Sequence, residues 1–383
     1  MYSKNFPLFF LFVLLPVLII PTAFASRARM SALGGEKIAW AYYNDPRNIF
    51  INPAYTNLNK DYLTLEWGSD YDGLEVLPSK PKGQGGFFKS WGQFVGGFYL
   101  GRDSGSTERI NIDAGDPPNF LFPDNTLELF IGGDAGLEWG ASVEFTDNQD
   151  QFNGVTRTQS SLKINLGVLT GPYEPYLRMT IFDKSVGGQT GKEGFKSMLG
   201  TTIGMNYFYE SFVIHGELSK NGHEYYRASD GNRDNLIEST QMNLGSGVVR
   251  SLNDLAKMYI DLTFYTNKNY HAVNLLESSN TSHIRSNSWN LPLTLGVEVQ
   301  AKDFLVFRGS ISQDILSRKK TSLNTQTSTK NSTSINTGIG FIMDKLKIDG
   351  LIGTTGTKGE KDEKAGVLSL NNLLVQVGVT YNF

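Results

Sequence analysis

The last twelve residues, Asn372 to Phe383, read NLLVQVGVTYNF and limit the fold more than any other stretch of this 383-residue chain. Leu373, Val375, Val377, Val379, Tyr381 and Phe383 take every second position, with Leu374, Gln376, Gly378, Thr380 and Asn382 between them. Alternate side chains of a strand point to opposite faces, so the segment predicts a strand that is apolar on one side and mostly polar on the other. A half-buried strand of a water-soluble sheet carries the same pattern. Three features favour a membrane setting instead: the aromatic terminus, the recurrence of the alternation upstream, and a long apolar run near Met1.

That run bears on the compartment. Met1 to Asn5 is polar and carries Lys4, Phe6 to Phe24 is apolar apart from Thr22, and Ala23-Phe24-Ala25 forms a small-x-small site before Ser26. Residues 1–25 are therefore expected to be a secretory signal peptide. A retained transmembrane helix is the other reading of such a run. Pro7, Pro16 and Pro21 argue against it.

Beyond Ser26 no apolar run is long enough for a spanning helix. A membrane-embedded form must then cross as a closed sheet, because lipid leaves free backbone groups unsatisfied. A 39% hydrophobic content with 12% aromatics, 41 glycines and a mean hydropathy of −0.26 suits a barrel with a wet interior. Cysteine is absent, which excludes a disulfide framework, a lipidated cysteine and thiolate chemistry. With 35 basic and 38 acidic residues, bulk electrostatics offers no case for nucleic-acid binding. The expected fold is all-β: a transmembrane antiparallel β-barrel of the bacterial outer-membrane kind, integral to that membrane and surrounded by its lipids.

Alternating segments of about ten residues recur from residue 91 onward, among them Trp139–Phe145, Ala256–Thr266, Leu291–Val299 and Lys345–Gly353. Tight links are expected near Asp134–Gly136, Gly171–Pro172, Glu210, Leu252–Asp254, Lys302–Asp303 and Asp344. Long polar loops are expected between them, over 103–124, 147–156, 184–196, 220–238, 267–287, 317–332 and 355–370. This count predicts about fourteen strands, with twelve or sixteen admitted. Tyr62–Gly68 (YLTLEWG) also alternates and, if included, makes fifteen. Gly83-Gln84-Gly85-Gly86 lacks the Gly-Lys-Ser/Thr end of a phosphate loop and reads as a flexible link. Tyr99, Trp139, Tyr207, Tyr209 and Tyr381 stand near strand ends and suggest interfacial girdles.

Residues 26–60 do not alternate. Arg29-Met30-Ser31-Ala32-Leu33-Gly34-Gly35 leads into Glu36–Tyr43, where Ile38, Ala41 and Tyr42 share a helical face, and Asn44-Asp45-Pro46 ends it. In Ile51-Asn52-Pro53-Ala54, the asparagine before proline favours an extended or turn conformation whose side chain bonds nearby backbone. By itself this stretch reads as an irregular lead-in, or as a compact segment tucked into the lumen of a barrel spanning 61–383.

The order Arg29, Leu33-Gly34-Gly35, Asp45 and Asn52-Pro53-Ala54, placed before a barrel, resembles the FadL/TodX family of outer-membrane transporters for fatty acids and hydrocarbons. The resemblance implies a fourteen-stranded barrel with an N-terminal plug, or hatch, over residues 26–60. Asn52, Pro53 and Ala54 carry it, with Gly34 and Gly35 as further matches. It also implies passive uptake of a hydrophobic small-molecule ligand such as a long-chain fatty acid. Related barrels serve as partners in secretion or surface assembly, and a general porin is a further possibility. Glu36, Pro46 and Tyr55 depart from the family pattern. The terminal strand Asn372–Phe383 resembles the signal read by the outer-membrane barrel-insertion machinery, its expected partner.

Strand parity directs Glu144, Lys163, Arg178, Glu217, Asp261, Glu298, Arg308, Lys347 and Asp349 into the lumen, with His215 beside Glu217. Mutual pairing is their plain reading, and holding the plug or lining a polar path is the functional one. No nucleophile motif accompanies His215, so no catalytic residue and no cofactor are expected. Asp230-Gly231-Asn232-Arg233-Asp234 departs from EF-hand ligand spacing and is read as a solvated turn, with no metal site assigned.

Overall fold

The structure is a computed structural model that describes residues 26–35, 45–68, 82–102, 121, 125–152, 154–187, 193–227, 233–274, 281–321, 333–356 and 376–383. The expected signal peptide, the Glu36–Tyr43 helix, residues 230–232 of the polar loop tip and Asn372–Val375 lie outside these residues.

The chain forms strands β1 (Tyr62–Gly68), β2 (Lys82–Trp91), β3 (Phe94–Arg102), β4 (Thr126–Asp134), β5 (Glu138–Phe152), β6 (Val155–Leu169), β7 (Tyr173–Gly187), β8 (Glu193–Ser197) and β9 (Gly200–Tyr209). There follow β10 (Phe212–Arg227), β11 (Arg233–Asn253), β12 (Ala256–Asn274), β13 (Thr281–Lys302), β14 (Leu305–Thr321), β15 (Thr333–Met343), β16 (Leu346–Gly356) and β17 (Gln376–Asn382). All neighbours are antiparallel. β1 pairs with β2 on one edge and with β17 on the other, Tyr62 opposite Asn382 and Gly68 opposite Gln376, so the sheet closes.

β8 and β9 both lie between β7 and β10. They are two parts of one wall position, broken at Met198–Leu199, where the Met198 amide still donates to the Gly222 carbonyl at 2.7 Å. The 17 segments therefore fill sixteen positions. The expectation of fourteen is corrected by β1 and β2. The alternation of β1 is legible, whereas the glycines of β2 carry no alternation and read as a link. Gly86 is needed in the wall because a Cβ there would sit 2.4 Å from the Tyr99 ring.

Burial is inverted relative to a water-soluble protein. Along β1, Tyr62, Thr64 and Glu66 are buried while Leu63, Leu65 and Trp67 are exposed. The same holds elsewhere, with Leu129, Ile203, Leu244, Leu295 and Phe307 exposed and Glu128, Ser142, Glu144, Lys347 and Asp349 buried. An apolar outside around a polar inside, with no free sheet edge through the band, is the arrangement of a barrel embedded in an outer membrane.

Short turns at 92–93, 135–137, 171–172, 210–211, 254–255, 303–304 and 344–345 gather on one rim. Asp61 and Phe383 meet there, the Phe383 amide donating to the Asp61 carbonyl at 3.1 Å. On the opposite rim the expected loops 147–156, 220–238, 267–287 and 317–332 are corrected. β5, β6 and β10 to β14 run into them as strands, β13 reaching 22 residues. Above the lipid both faces of a strand are polar, so alternation of hydrophobicity vanishes while ladder pairing such as Lys268 with Asn287 continues.

Candidate functional site

The site is built where the segment before β1 meets the inner wall. Helix α1 (Arg27–Ala32) starts at Ser26, whose hydroxyl accepts from the Arg29 amide at 3.4 Å. It ends at Gly34, whose φ of +80° suits a residue without a Cβ, while the Gly35 amide donates to the Met30 carbonyl at 2.9 Å. Two 3₁₀ turns follow, Pro46–Phe50 and Pro53–Thr56. Each opens with a cap and a proline: Asp45 accepts from the Arg47 amide at 2.8 Å and Asn52 from the Ala54 amide at 3.0 Å.

Almost every residue of 26–33, 45–50 and 52–56 is buried. Helix α1 lies against β14 to β17, and the second turn lies against β4, β5 and β6. At the α1 end, Arg29 Nε donates to Glu298 Oε2 at 2.8 Å and its Nη1 reaches Asp45 Oδ2 at 3.3 Å. Arg308 donates to the same Glu298 oxygen at 2.6 Å and to Asp349 at 2.6 Å. Ser26 donates to Asp349 and Ser31 to Gln376, at 3.2 and 2.9 Å. Asp45 also caps the turn carrying Arg47, which donates to Glu66 of β1 at 2.5 Å. Burial pushes the Asp45 carboxyl up to about 7, and the Arg29 guanidinium only partly offsets this.

At the other end, Asn52, Pro53 and Ala54 lie over a row of glycines. Gly132, Gly140 and Gly167 are in register on β4, β5 and β6. A Cβ on Gly167 would stand 1.8 Å from Asn52 Oδ1, and one on Gly140 would stand 2.3 Å from the Pro53 carbonyl. The Asn52 amide group donates to the carbonyls of Val168 and Pro175 at 3.2 and 3.3 Å. Tyr55 donates to Glu174 at 2.7 Å. Phe50 meets Tyr99 edge-on at 4.9 Å and lies under the Arg102 guanidinium at 4.4 Å.

The remaining sequence-predicted residues form separate groups on the inner wall. Glu144 binds Arg102 and receives Lys163 at 3.3 Å. Arg178 binds Glu217, which also accepts from Tyr176 at 2.8 Å and from Asn243 at 3.2 Å. His215 lies 3.5 Å from the Thr263 hydroxyl, which donates to Asp261 at 2.8 Å. Lys347 is buried on the same face as Asp349. Glu298 and Asp349 thus meet the N-terminal segment directly, through Arg29 and Ser26, and Arg308 bridges the two, whereas Arg178, His215, Glu217 and Asp261 bond along the wall of β7 and β10 to β12.

Sequence reading missed the partners that complete these groups: Asp45, Arg47, Glu66, Arg102, Glu128 and Glu174. Glu66 was legible as a polar position in YLTLEWG. Arg102, at the outer end of β3, carried no such signal. Tyr99, read as an interfacial residue, is instead inside, where its hydroxyl donates to Glu66 at 3.1 Å. Two shallow, open hollows lie on the short-turn rim, beside Asp134, Glu138 and Thr170 and beside Leu255, Gln300 and Phe304. Neither lies between segment and wall.

No known protein family and no curated protein matches the chain. Among solved structures it is similar to a bacterial polysaccharide outer membrane secretin (8% identity, TM-score 0.44, covering 84% of this chain and 97% of that one). It is also similar to the CymD monoaromatic hydrocarbon channel (9% identity, TM-score 0.40, covering 93% and 97%). A third is the P. putida toluene transporter TodX (15% identity, TM-score 0.38, covering 93% and 98%). Likenesses this distant leave function to the residues.

Proposed function

We propose that the protein is an outer-membrane barrel for passive transport, held closed by residues 26–60 acting as a plug in its lumen. The observation that carries the reading is the anchoring of one short segment to walls far apart around the barrel. Arg29 is held by β13, Arg47 by β1, Asn52 by β6 and β7, and Tyr55 by β7. A segment fixed at so many points is held across the barrel interior, and on this reading a solute passes only after part of it moves.

The cargo we propose is a small hydrophobic molecule such as a long-chain fatty acid, on the resemblance carried by Asn52-Pro53-Ala54. Polar solutes are the second reading, favoured by the charged and amide side chains of Arg178, Glu217 and Asn243 on the inner wall. Flux into proteoliposomes decides between them. Uptake of a long-chain fatty acid without sugar leakage supports the first, and sugar entry without fatty-acid uptake supports the second. Flux of neither would remove transport as the function.

A further inference from the structure

The outer face of β12 to β14 carries a feature that transport does not use. On β13 the outward residues Val299, Val297, Leu295, Leu293, Leu291 and Trp289 form an unbroken apolar line. Ten residue steps at about 3.3 Å make about 33 Å along the strand, which at a tilt near 40° spans about 25 Å of membrane, the height of a barrel's apolar band. Trp289 therefore stands at the outer interface, where indole rings settle.

The register then fixes what lies at and just above that level. Arg318 of β14 is opposite Trp289, and its guanidinium lies 5.0 Å from the indole ring. One outward step higher, Asn287 of β13 has Lys320 on one side and Lys268 on the other. One step higher still, Arg285 is opposite Tyr270 and lies 5.8 Å from its ring. Lys268, Arg285, Arg318 and Lys320 are all exposed, and among the described residues Glu238 of β11, opposite Tyr270, is an acid on the same outward face. The short-turn rim is at the other end of these strands.

We infer that Lys268, Arg318 and Lys320 form a binding site for the phosphate headgroup of an outer-leaflet lipid. Charge complementarity selects an anion, and the position at the top of the apolar line selects one attached to acyl chains. Trp289 and Leu316 offer those chains an apolar surface, since Leu316 is exposed beside Leu291. The aromatic ring beneath Arg318 holds its guanidinium in place. This inference is independent of the transport reading.

The test uses the folded full-length barrel in detergent, titrated with lipopolysaccharide bearing its lipid phosphates, with the dephosphorylated lipid, and with inorganic phosphate. Bound lipid is counted by native mass spectrometry. The variant K268Q/R318Q/K320Q is expected to bind the phosphorylated lipid about 100-fold more weakly, from the loss of three interfacial cations. R250Q/K302Q, at the short-turn rim, is expected to bind like the parent. Glu238→Gln, which removes that acid, is expected to bind more tightly and keeps the test decisive if the triple variant folds poorly. Equal affinity of parent and triple variant, no gain in Glu238→Gln, or equal binding of the dephosphorylated lipid overturns the inference. Displacement of the lipid by equimolar inorganic phosphate also overturns it, in favour of a free-anion site.

Discussion

Arg29 Nε lies 2.8 Å from Glu298 Oε2, a contact between residues 269 positions apart that ties the start of the chain to the thirteenth strand. Glu298 is shared, because Arg308 donates to the same oxygen. Replacing Glu298 by Ala takes one carboxylate from each of two guanidinium groups, leaving Arg29 with Asp45 and Arg308 with Asp349, so the cost stays below about 3–5 kcal/mol, that of a fully broken buried pair. The expected outcome is a folded barrel whose segment leaves its seat, seen as frequent channel openings in a planar bilayer. In a double-mutant cycle, Arg29→Ala with Glu298→Ala should cost less than the two separate changes together. Strict additivity would mean that the pair does not hold the segment.

The glycine row offers a test that leaves charge untouched. Gly167→Val places atoms where Asn52 Oδ1 now sits, 1.8 Å from the new Cβ, so the Asn52-Pro53-Ala54 turn must lift. Openings should rise while heat-modifiable gel migration stays that of a folded barrel. Gly309→Ala is the control, since its Cβ would meet nothing closer than 3.7 Å. A Gly167→Val channel as quiet as the parent would show that the turn is not seated against β6.

Acid should tighten the seat. Asp45 is pushed up to about 7 by burial, so between its ordinary value near 3.8 and 7 the seated state binds a proton that the released state lacks. Stability of the seated state therefore falls as pH rises through that window, and is greater at about pH 5 than at about pH 8. Opening frequency is expected to drop on acidification, and Asp45→Asn should flatten the response. A steeper rise in openings at low pH, or an unchanged profile in Asp45→Asn, contradicts the assignment to Asp45.

The inverted burial also makes a prediction for the wall. Leu65 is exposed on β1 between the buried residues Thr64 and Glu66. An arginine there should cost about 2–4 kcal/mol if Leu65 faces mid-bilayer lipid, and close to nothing if it faces water. Denaturant unfolding from lipid vesicles measures the difference.

Much of this wall was legible because its outward face must be apolar for as long as it crosses lipid, as in Val299 to Trp289. Where that requirement ends, so does the signal. The upper half of β12 places Lys268 outward and Asn267 inward, and such polar pairs read as a loop although the backbone ladder continues. β2 failed for another reason: glycine packs against Tyr99 by having no side chain, and so contributes nothing to a hydropathy pattern. The inward positions of Glu144, Arg178, Glu298 and Arg308 followed from parity alone. Their partners did not, because Arg29 and Arg47 lie in an irregular segment without a period from which to project a direction. For Asn52 the local half was legible, since asparagine before proline signals a side chain bonded to nearby backbone, as it is to the Ala54 amide, while its bonds to the Val168 and Pro175 carbonyls carried no signal.

Single-channel conductance of the protein from Ser26 onward, compared with a form lacking Ser26–Lys60, decides whether residues 26–60 close the barrel. A closed parent and a wide, steady conductance after the deletion are expected, with Gly167→Val giving the same trend should the deleted form assemble poorly. Equal conductance from parent, deletion and Gly167→Val would contradict a plug in the lumen.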